Sequence, residues 1–419
     1  MNNERAPLER VILVAVDTGK EDTELSLDEL TQLVDTAGAT VVGRMVQPRD
    51  SFNPATYIGK GKIEELQLFI NTVQATGIIT DDELTPAQMK NLEDILDVKV
   101  CDRTMLILDI FATRATSKEG KIQVELAMLR YEMTRLAGHG VALSRLGGGI
   151  GTRGPGETKL ETDKRVIRGR ITHLKSELNN IVSHRNLTRE KRIKNSVPVI
   201  AIVGYTNAGK STLLNTLTNA GILSEDKLFA TLDPTTRSYS LSNGTGVLLT
   251  DTVGFINKLP HHLIDAFRST LEEAKYADII VHVVDASNPN RDAQMQVVYD
   301  TLNKLNVIGK PIITLFNKCD LPDSEPVHRD AYASKIIDIS AVTGQGLDEL
   351  GKAIIDTLRS MRTLIDVTLS YSDGALLQDI RTCGELLLEE YLESGIHIKA
   401  QVPNRLAYLD TSARKGDFD

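Results

Sequence analysis

Gly204-Tyr205-Thr206-Asn207-Ala208-Gly209-Lys210-Ser211 is a segment whose residue types and spacing point to phosphate chemistry. It fits G-x-x-x-x-G-K-[ST], a loop in which backbone N–H groups converge on phosphate oxygens and glycine permits the convergence. Lys210 is placed to reach the β- and γ-phosphates and the Ser211 hydroxyl to bind Mg2+. Asp251-Thr252-Val253-Gly254 lies about forty residues downstream. An Asp there can hold the Mg2+ shell, directly or through water, and the Gly254 N–H can meet the γ-phosphate. Asn317-Lys318-Cys319-Asp320 supplies a base selector. The Asp320 carboxylate can accept from guanine N1–H and from the 2-amino group, and adenine offers neither donor. Charge-assisted bonds are worth about 1.5–3 kcal/mol each, so the preference for guanine reaches about 10²–10⁴. Ser340-Ala341-Val342 would support the base through backbone contacts.

A loop that senses the γ-phosphate needs a hydroxyl that joins Mg2+ only when that phosphate is present. Phe229-Ala230-Thr231-Leu232-Asp233-Pro234-Thr235-Thr236-Arg237 carries three candidates. Thr231 is preferred and Thr235 comes second, so the expected metal ligands are Ser211 and Thr231. Immediately after the D-x-x-G stands Phe255, where many small GTPases place a water-orienting Gln. A phenyl ring cannot polarise water. Intrinsic hydrolysis is therefore expected to be slow, no catalytic residue is assigned, and another group in the chain or a partner must complete the site.

The elements that must position these residues are legible. Val199–Val203 is an apolar strand entering the phosphate loop, and Thr212 onward begins a helix. Val247–Thr250, Ile312–Phe316 and Lys335–Ile339 are strands that end at the motifs. Alternation of strand and helix holds from 196 to 362, the expected G domain. Residues 1–112 also alternate: strands at Val11–Val16, Ala39–Val46, Gly77–Thr80 and Val98–Cys101, helices from a capping box at Ser26–Glu29, over Lys62–Thr76, and from a second box at Thr85-Pro86-Ala87-Gln88. This predicts a parallel α/β domain. Residues 113–195 differ. Ile122, Leu126, Leu129, Met133 and Leu136 fall at helical spacing, as do Leu160, Val166, Ile167, Ile171, Leu174, Leu178 and Ile181. The Gly-rich stretch Gly147–Gly156 joins them, which predicts a helical hairpin. Residues 363–419 form a small α+β unit, with strand Leu364–Ser370, helix Ala375–Tyr391 and strand Ile396–Ala400.

Composition narrows the class. At 41% apolar and 25% charged the chain is ordinary globular material, and with 4% aromatics and no Trp it is a poor single-strand stacking platform. Three scattered cysteines argue against disulfides or a Cys-based zinc site and fit a reducing, cytoplasmic setting. No membrane span is expected. Net charge is −9, yet residues 153–194 hold twelve Lys/Arg against five Asp/Glu, a local balance of +7. Such a helix beside a flexible loop suits RNA phosphates, and Arg153, Lys159, Lys164, Arg165, Arg168 and Arg170 are the candidate contacts; the same pattern also describes a solvated helix face. Gly59-Lys60-Gly61-Lys62 reads either as a phosphate nest or as a plain turn before a helix.

The motifs in this order match the translation-factor-related GTPases, and from residue 8 to about 410 the chain resembles the HflX family of ribosome-associated GTPases. The family-specific segments are Tyr57–Lys62, Ser144–Glu161 (SRLGGGIGTRGPGETKLE) and Phe229–Thr235. The resemblance implies an α/β chain: an N-terminal domain, a helical linker, a P-loop G domain and a small C-terminal domain. It maps the Mg2+ threonine to Thr231. It further implies binding to the large ribosomal subunit and its rRNA, with ribosome splitting or rescue under stress, and in some members ATP at the N-terminal domain. Related GTPases with Asn at position 207 use K+ where an arginine finger would sit. A monomer is expected. The competing reading is a nucleotide-dependent switch for a protein partner, without RNA.

Overall fold

The computed structural model describes residues 9–20, 22–144, 155–194, 197–218, 228–229, 232–258, 273–307, 309–322 and 329–409. The chain divides into two compact units, the first comprising 1–182, 225–233 and 253–271, the second 183–224, 234–252 and 272–419.

The first unit is built on Arg10–Asp17 (β1), Thr23–Ala37 (α1), Thr40–Pro48 (β2), Lys60–Val73 (α2), Gly77–Thr80 (β3), Pro86–Leu96 (α3), Lys99–Asp102 (β4) and Arg103–Arg114 (α4). The four strands are parallel in the order β2-β1-β3-β4. Ile12, Val14 and Val16 of β1 pack on Ile63, Leu66 and Ile70 of α2 and on Leu92 and Leu96 of α3. The Thr85 box forms as expected, with both reciprocal bonds and Pro86 at the start of α3. The Ser26 box does not. Asp22 caps α1 by accepting from the N–H groups of Glu24 and Leu25. Ser26 sits a turn inside, and its hydroxyl donates to the Asp81 carboxylate instead. A nearer Asp with free approach to the first amides outcompetes a serine whose hydroxyl has a buried anion to serve. Gly59 caps α2 and its N–H donates to Gln47 Oε1, which favours the plain turn over the phosphate nest.

Lys118–Ser144 (α5) and Pro155–Lys194 (α6) follow. They share an apolar seam of Ile122, Leu126, Ile171 and Leu174, flanked by Leu129, Met133, Ile167, Leu178 and Ile181. Val166 is a correction: it is 65% exposed, one position off the seam that Ile167 occupies. Arg153, the Lys159 side chain and the Gly-rich join up to residue 154 lie outside the described residues.

The second unit carries Val199–Gly204 (β5), Lys210–Thr218 (α7), Thr235–Ser240 (β6), Gly246–Asp251 (β7), Ile279–Asp285 (β8), Arg291–Lys304 (α8), Ile312–Asn317 (β9), Lys335–Asp338 (β10) and Leu347–Ser360 (α9). Its six strands run in the order β10-β9-β8-β5-β7-β6, all parallel except β6. A smaller antiparallel sheet of Arg362–Leu369 (β11), Glu385–Leu392 (β12) and Gly395–Pro403 (β13) is ordered β11-β13-β12 and backed by Gly374–Cys383 (α10). The expected helix from Ala375 to Tyr391 is therefore half strand. It stops because Gly384 takes an extended conformation, where a Cβ would meet the carbonyls of Ile380 and Gln401 at 2.8 and 3.0 Å. The Leu-rich segment beyond pairs with β13, a tertiary gain that outweighs the helix propensity of Leu and Glu.

Candidate nucleotide-binding site

In the second unit the phosphate loop leaves β5 at Gly204 and enters α7 at Lys210. Both glycines are needed at their positions. Gly204 has φ 156° and a Cβ there would run into the Val283 carbonyl; Gly209 has φ 97° and a Cβ would strike the Asn317 amide. Lys210 is 6% exposed, and its ammonium donates to the Tyr205 carbonyl at 2.7 Å. Burial pushes its pKa down to about 8, with Asp251 pulling the other way. Ser211 Oγ donates to Asp251 Oδ2 at 2.7 Å, and Asp251 is fully buried at the end of β7. β6, unforeseen in the sequence, places Thr235 opposite Asp251 in an antiparallel pair.

The base end is assembled by buried amides. Asn317 Nδ2 donates to the Ala208 carbonyl at 2.8 Å, and its Oδ1 accepts from Ala341 N–H at 2.9 Å, so one side chain ties the phosphate loop to the Ser340–Val342 loop. Cys319 N–H donates to the Ile339 carbonyl. Lys318, in the left-handed region at φ 68°, pairs with Asp285 at 2.7 Å. Asp320 is exposed. Val342 is 78% exposed, while Ser340 and Ala341 are buried.

Three family models match: GTP-binding GTPase N-terminal over 24–112, GTP-binding GTPase Middle Region over 114–192, and 50S ribosome-binding GTPase over 199–318. A GTPase HflX of Lacrimispora saccharolytica is 60% identical over 95% of this chain and 94% of its own length. One from Caldanaerobacter subterraneus is 52% identical over 94% and 91%. The chain belongs to the HflX family of GTPases. It binds guanine nucleotide and hydrolyses GTP. A solved GTP-binding protein of Sulfolobus solfataricus with GDP is 27% identical over 84% of this chain and 98% of its own, with a TM-score of 0.44.

The two segments expected from the sequence to respond to nucleotide, 229–233 and 253–258, fall in the first unit. Phe229, at φ 55°, is 2% exposed and stacks edge-on against Phe111 of α4, with centroids 4.6 Å apart. Leu232 is buried. Asp233 is bound by Thr116 and Ser117. These side chains are committed inside the unit, so any direct approach of 229, 232 or 233 to nucleotide falls to their backbone. Ala230 and Thr231 lie outside the described residues. After the D-x-x-G, Val253, Phe255 and Ile256 are buried, and Phe255 is a packing residue. Lys258, at φ 53°, reaches Asp81 at 2.5 Å and Asp82 at 3.2 Å.

This acid–base cluster is the part that motif reading missed. Arg103, 2% exposed, donates to Asp81 at 2.9 Å, to Glu29 at 2.6 Å and to the Asn257 carbonyl at 3.3 Å. Burial alone would raise Asp81, but Arg103 and then Lys258 hold it below the usual carboxylate range. The only sequence signal was the acidic run Asp81-Asp82-Glu83 directly after a strand. Among the described residues no group of three His, Cys, Asp or Glu is placed to hold a metal. A hydroxyl beside a buried carboxylate, as at Ser211 and Asp251, nevertheless fits Mg2+, which takes few protein oxygens and completes its shell with water and phosphate.

Proposed function

We propose that this HflX-family GTPase binds the large ribosomal subunit through rRNA and couples its nucleotide cycle to splitting or rescue of ribosomes under stress, acting as a cytoplasmic monomer. The match of 199–318 to a 50S ribosome-binding GTPase model carries this reading. The helix α6 supports it: Arg165 and Arg168 are exposed and Lys164 half-buried, on a segment with excess positive charge. Arg170 is paired with Glu125 at 2.7 Å and must exchange that partner to reach phosphate. No described helix is long and apolar enough to cross a membrane.

In the nucleotide cycle Lys210 would bind the β- and γ-phosphates, Asp320 would read the guanine edge, and Ser211 and Thr231 would hold Mg2+, with Asp251 in its shell directly or through water. The ion would neutralise charge on the phosphates as it develops. With Phe255 buried, the attacking water is oriented by a group from the ribosome, or the developing charge is offset by K+ held partly by exposed Asn207. A second nucleotide, ATP, would occupy a cleft of about 500 Å³ at the carboxyl ends of β1 and β3. Asp50, Asp81, Asp82 and Glu83 line it with Lys20, Arg103 and Lys258, so a triphosphate there needs a divalent cation.

The test is co-sedimentation with ribosomes in GTP-analogue and GDP states. Wild type should bind preferentially with the GTP analogue. Neutralising Lys164, Arg165, Arg168 and Arg170 together should weaken binding and flatten its salt dependence, with ribosome-free turnover nearly unchanged. Unaltered affinity at low salt would overturn the RNA contact and favour a protein partner.

A further inference from the structure

Asp233 ends the segment expected to deliver Thr231, and its carboxylate is gripped from one side. Oδ2 accepts from Thr116 N–H at 2.9 Å, Thr116 Oγ1 at 2.7 Å and Ser117 N–H at 2.7 Å; Oδ1 accepts from Ser117 Oγ at 2.5 Å. Ser117 Oγ in turn accepts from Gly120 N–H at 2.9 Å. Ser117 thus caps α5 from within its own chain segment, and Asp233 adds an anion just beyond, where unpaired amides and the positive helix end favour one. Burial alone would raise the Asp233 pKa, but the bonds from Ser117 and Thr116 hold it low. Gly120 makes room: a Cβ there would overlap Asp233 Oδ1 and crowd Ser117 Oγ at 3.1 Å. Glycine in a first helical turn is otherwise a poorer choice than alanine.

On the other side of Ala230-Thr231, Phe229 is buried against Phe111. The segment is therefore fastened at both flanks, within five residues, to the end of α4 and the start of α5. We propose that Thr116, Ser117 and Gly120 form a socket for Asp233 that positions the γ-phosphate-sensing segment and ties it to α5. Fastening both flanks removes chain freedom before nucleotide arrives, so less ordering remains when Thr231 joins the Mg2+ shell. GDP makes no use of that threonine and gains nothing. The socket also gives a direction of coupling. A ligand on the α5–α6 hairpin that shifts the start of α5 must change GTP affinity by the same factor by which GTP changes its own. The proposal rests on the assignment of Thr231 to Mg2+ and stands independently of the ribosome reading.

The experiment uses the full chain without ribosomes, measuring affinity for a non-hydrolysable GTP analogue and for GDP in Mg2+, and single-turnover hydrolysis. Gly120→Ala should weaken the analogue at least tenfold and slow hydrolysis, with GDP affinity within twofold and the thermal midpoint unchanged or raised. Ser117→Ala should shift affinity and hydrolysis the same way, with a lowered thermal midpoint because the α5 cap is lost, and Ser117→Thr, which keeps the hydroxyl, should restore wild-type discrimination. Gly120→Ala combined with Asp233→Ala should be no worse than Asp233→Ala alone. Wild-type analogue affinity in both Gly120→Ala and Ser117→Ala, or losses that multiply in the double variant, would overturn the socket. The nucleotide-site reading fails separately, if Lys210→Ala still binds GTP.

Discussion

The base-binding loops of the second unit and two segments of the first unit are held by different forces. At the base end, Asn317 is 3% exposed and joins two loops through neutral amide bonds to backbone atoms of Ala208 and Ala341. In the first unit, the two segments expected to respond to nucleotide are held by charge: Asp233 on the amides and hydroxyls before α5, Lys258 on Asp81 and Asp82. Buried amide bonds whose partners have no water to fall back on are costly to break and specify one arrangement. Charged contacts add long-range attraction, and a carboxylate held by several donors keeps part of its hold when one donor is lost. The base end is thus fixed by single buried amide bonds, and the segments in the first unit by charged groups with several partners each.

If that contrast holds, damage at the base end should weaken GTP and GDP equally. Asp320→Asn places an amide NH2 opposite the guanine donors. Affinity for both guanine nucleotides should fall by about 10²–10⁴, while ATP affinity at this site does not fall in parallel. Nucleotide titration of the variant settles it; equal loss of guanine and adenine nucleotides would remove Asp320 from base recognition.

Lys210, in the phosphate loop of the second unit, gives a pH signature. Burial lowers its pKa to about 8 in the free protein, and bound phosphates raise it by favouring the ammonium form. Between those two values the complex holds a proton the free protein lacks, so affinity falls as pH rises. From pH 8 to 9 the loss should be about fivefold for GTP and GDP alike. Lys210→Arg, which stays charged, should give a flat profile. A wild-type profile that is flat to pH 9.5 would show that Lys210 remains protonated in the free site.

How much of this was legible in the sequence depends on whether a feature is local. The phosphate loop, the D-x-x-G and the Asn317–Asp320 motif are contiguous, their spacing is dictated by phosphate and base geometry, and the strands ending at them are apolar runs. The Thr85 box was legible for the same reason. Ser26 was misread because its partner, Asp81, is 55 positions away. The strand β12 was missed because Leu and Glu favour helix until Gly384 and pairing with β13 intervene. The Asp233 socket joins residues 116 positions apart, and Gly120, read alone, is an unremarkable helical glycine. Side chains that hold a segment from a distance leave no spacing to read.

A smaller effect is expected from Lys258, where the clasp has a backup. Lys258 is 23% exposed and Asp81 1%. Burial works against the Lys258 charge, but Asp81 and then Asp82 outweigh it and raise its pKa. Breaking an isolated buried pair costs about 3–5 kcal/mol. Here Arg103 and Ser26 still serve Asp81 after Lys258 is removed, so Lys258→Ala should cost about 1–2 kcal/mol. The backbone supplies a second handle. Lys258 sits at φ 53°, a conformation that costs a residue with a Cβ about 1 kcal/mol and glycine almost nothing. Lys258→Gly loses the same ion pairs but recovers that strain, and should be less destabilising than Lys258→Ala by about 1 kcal/mol. Hydrogen exchange of the amides from 253 to 258 reads this locally, where a global melt of a two-unit chain would not. Faster exchange in Lys258→Gly than in Lys258→Ala would show that the left-handed turn at Lys258 holds no strain for glycine to relieve, and that a Cβ there restrains the segment rather than burdening it.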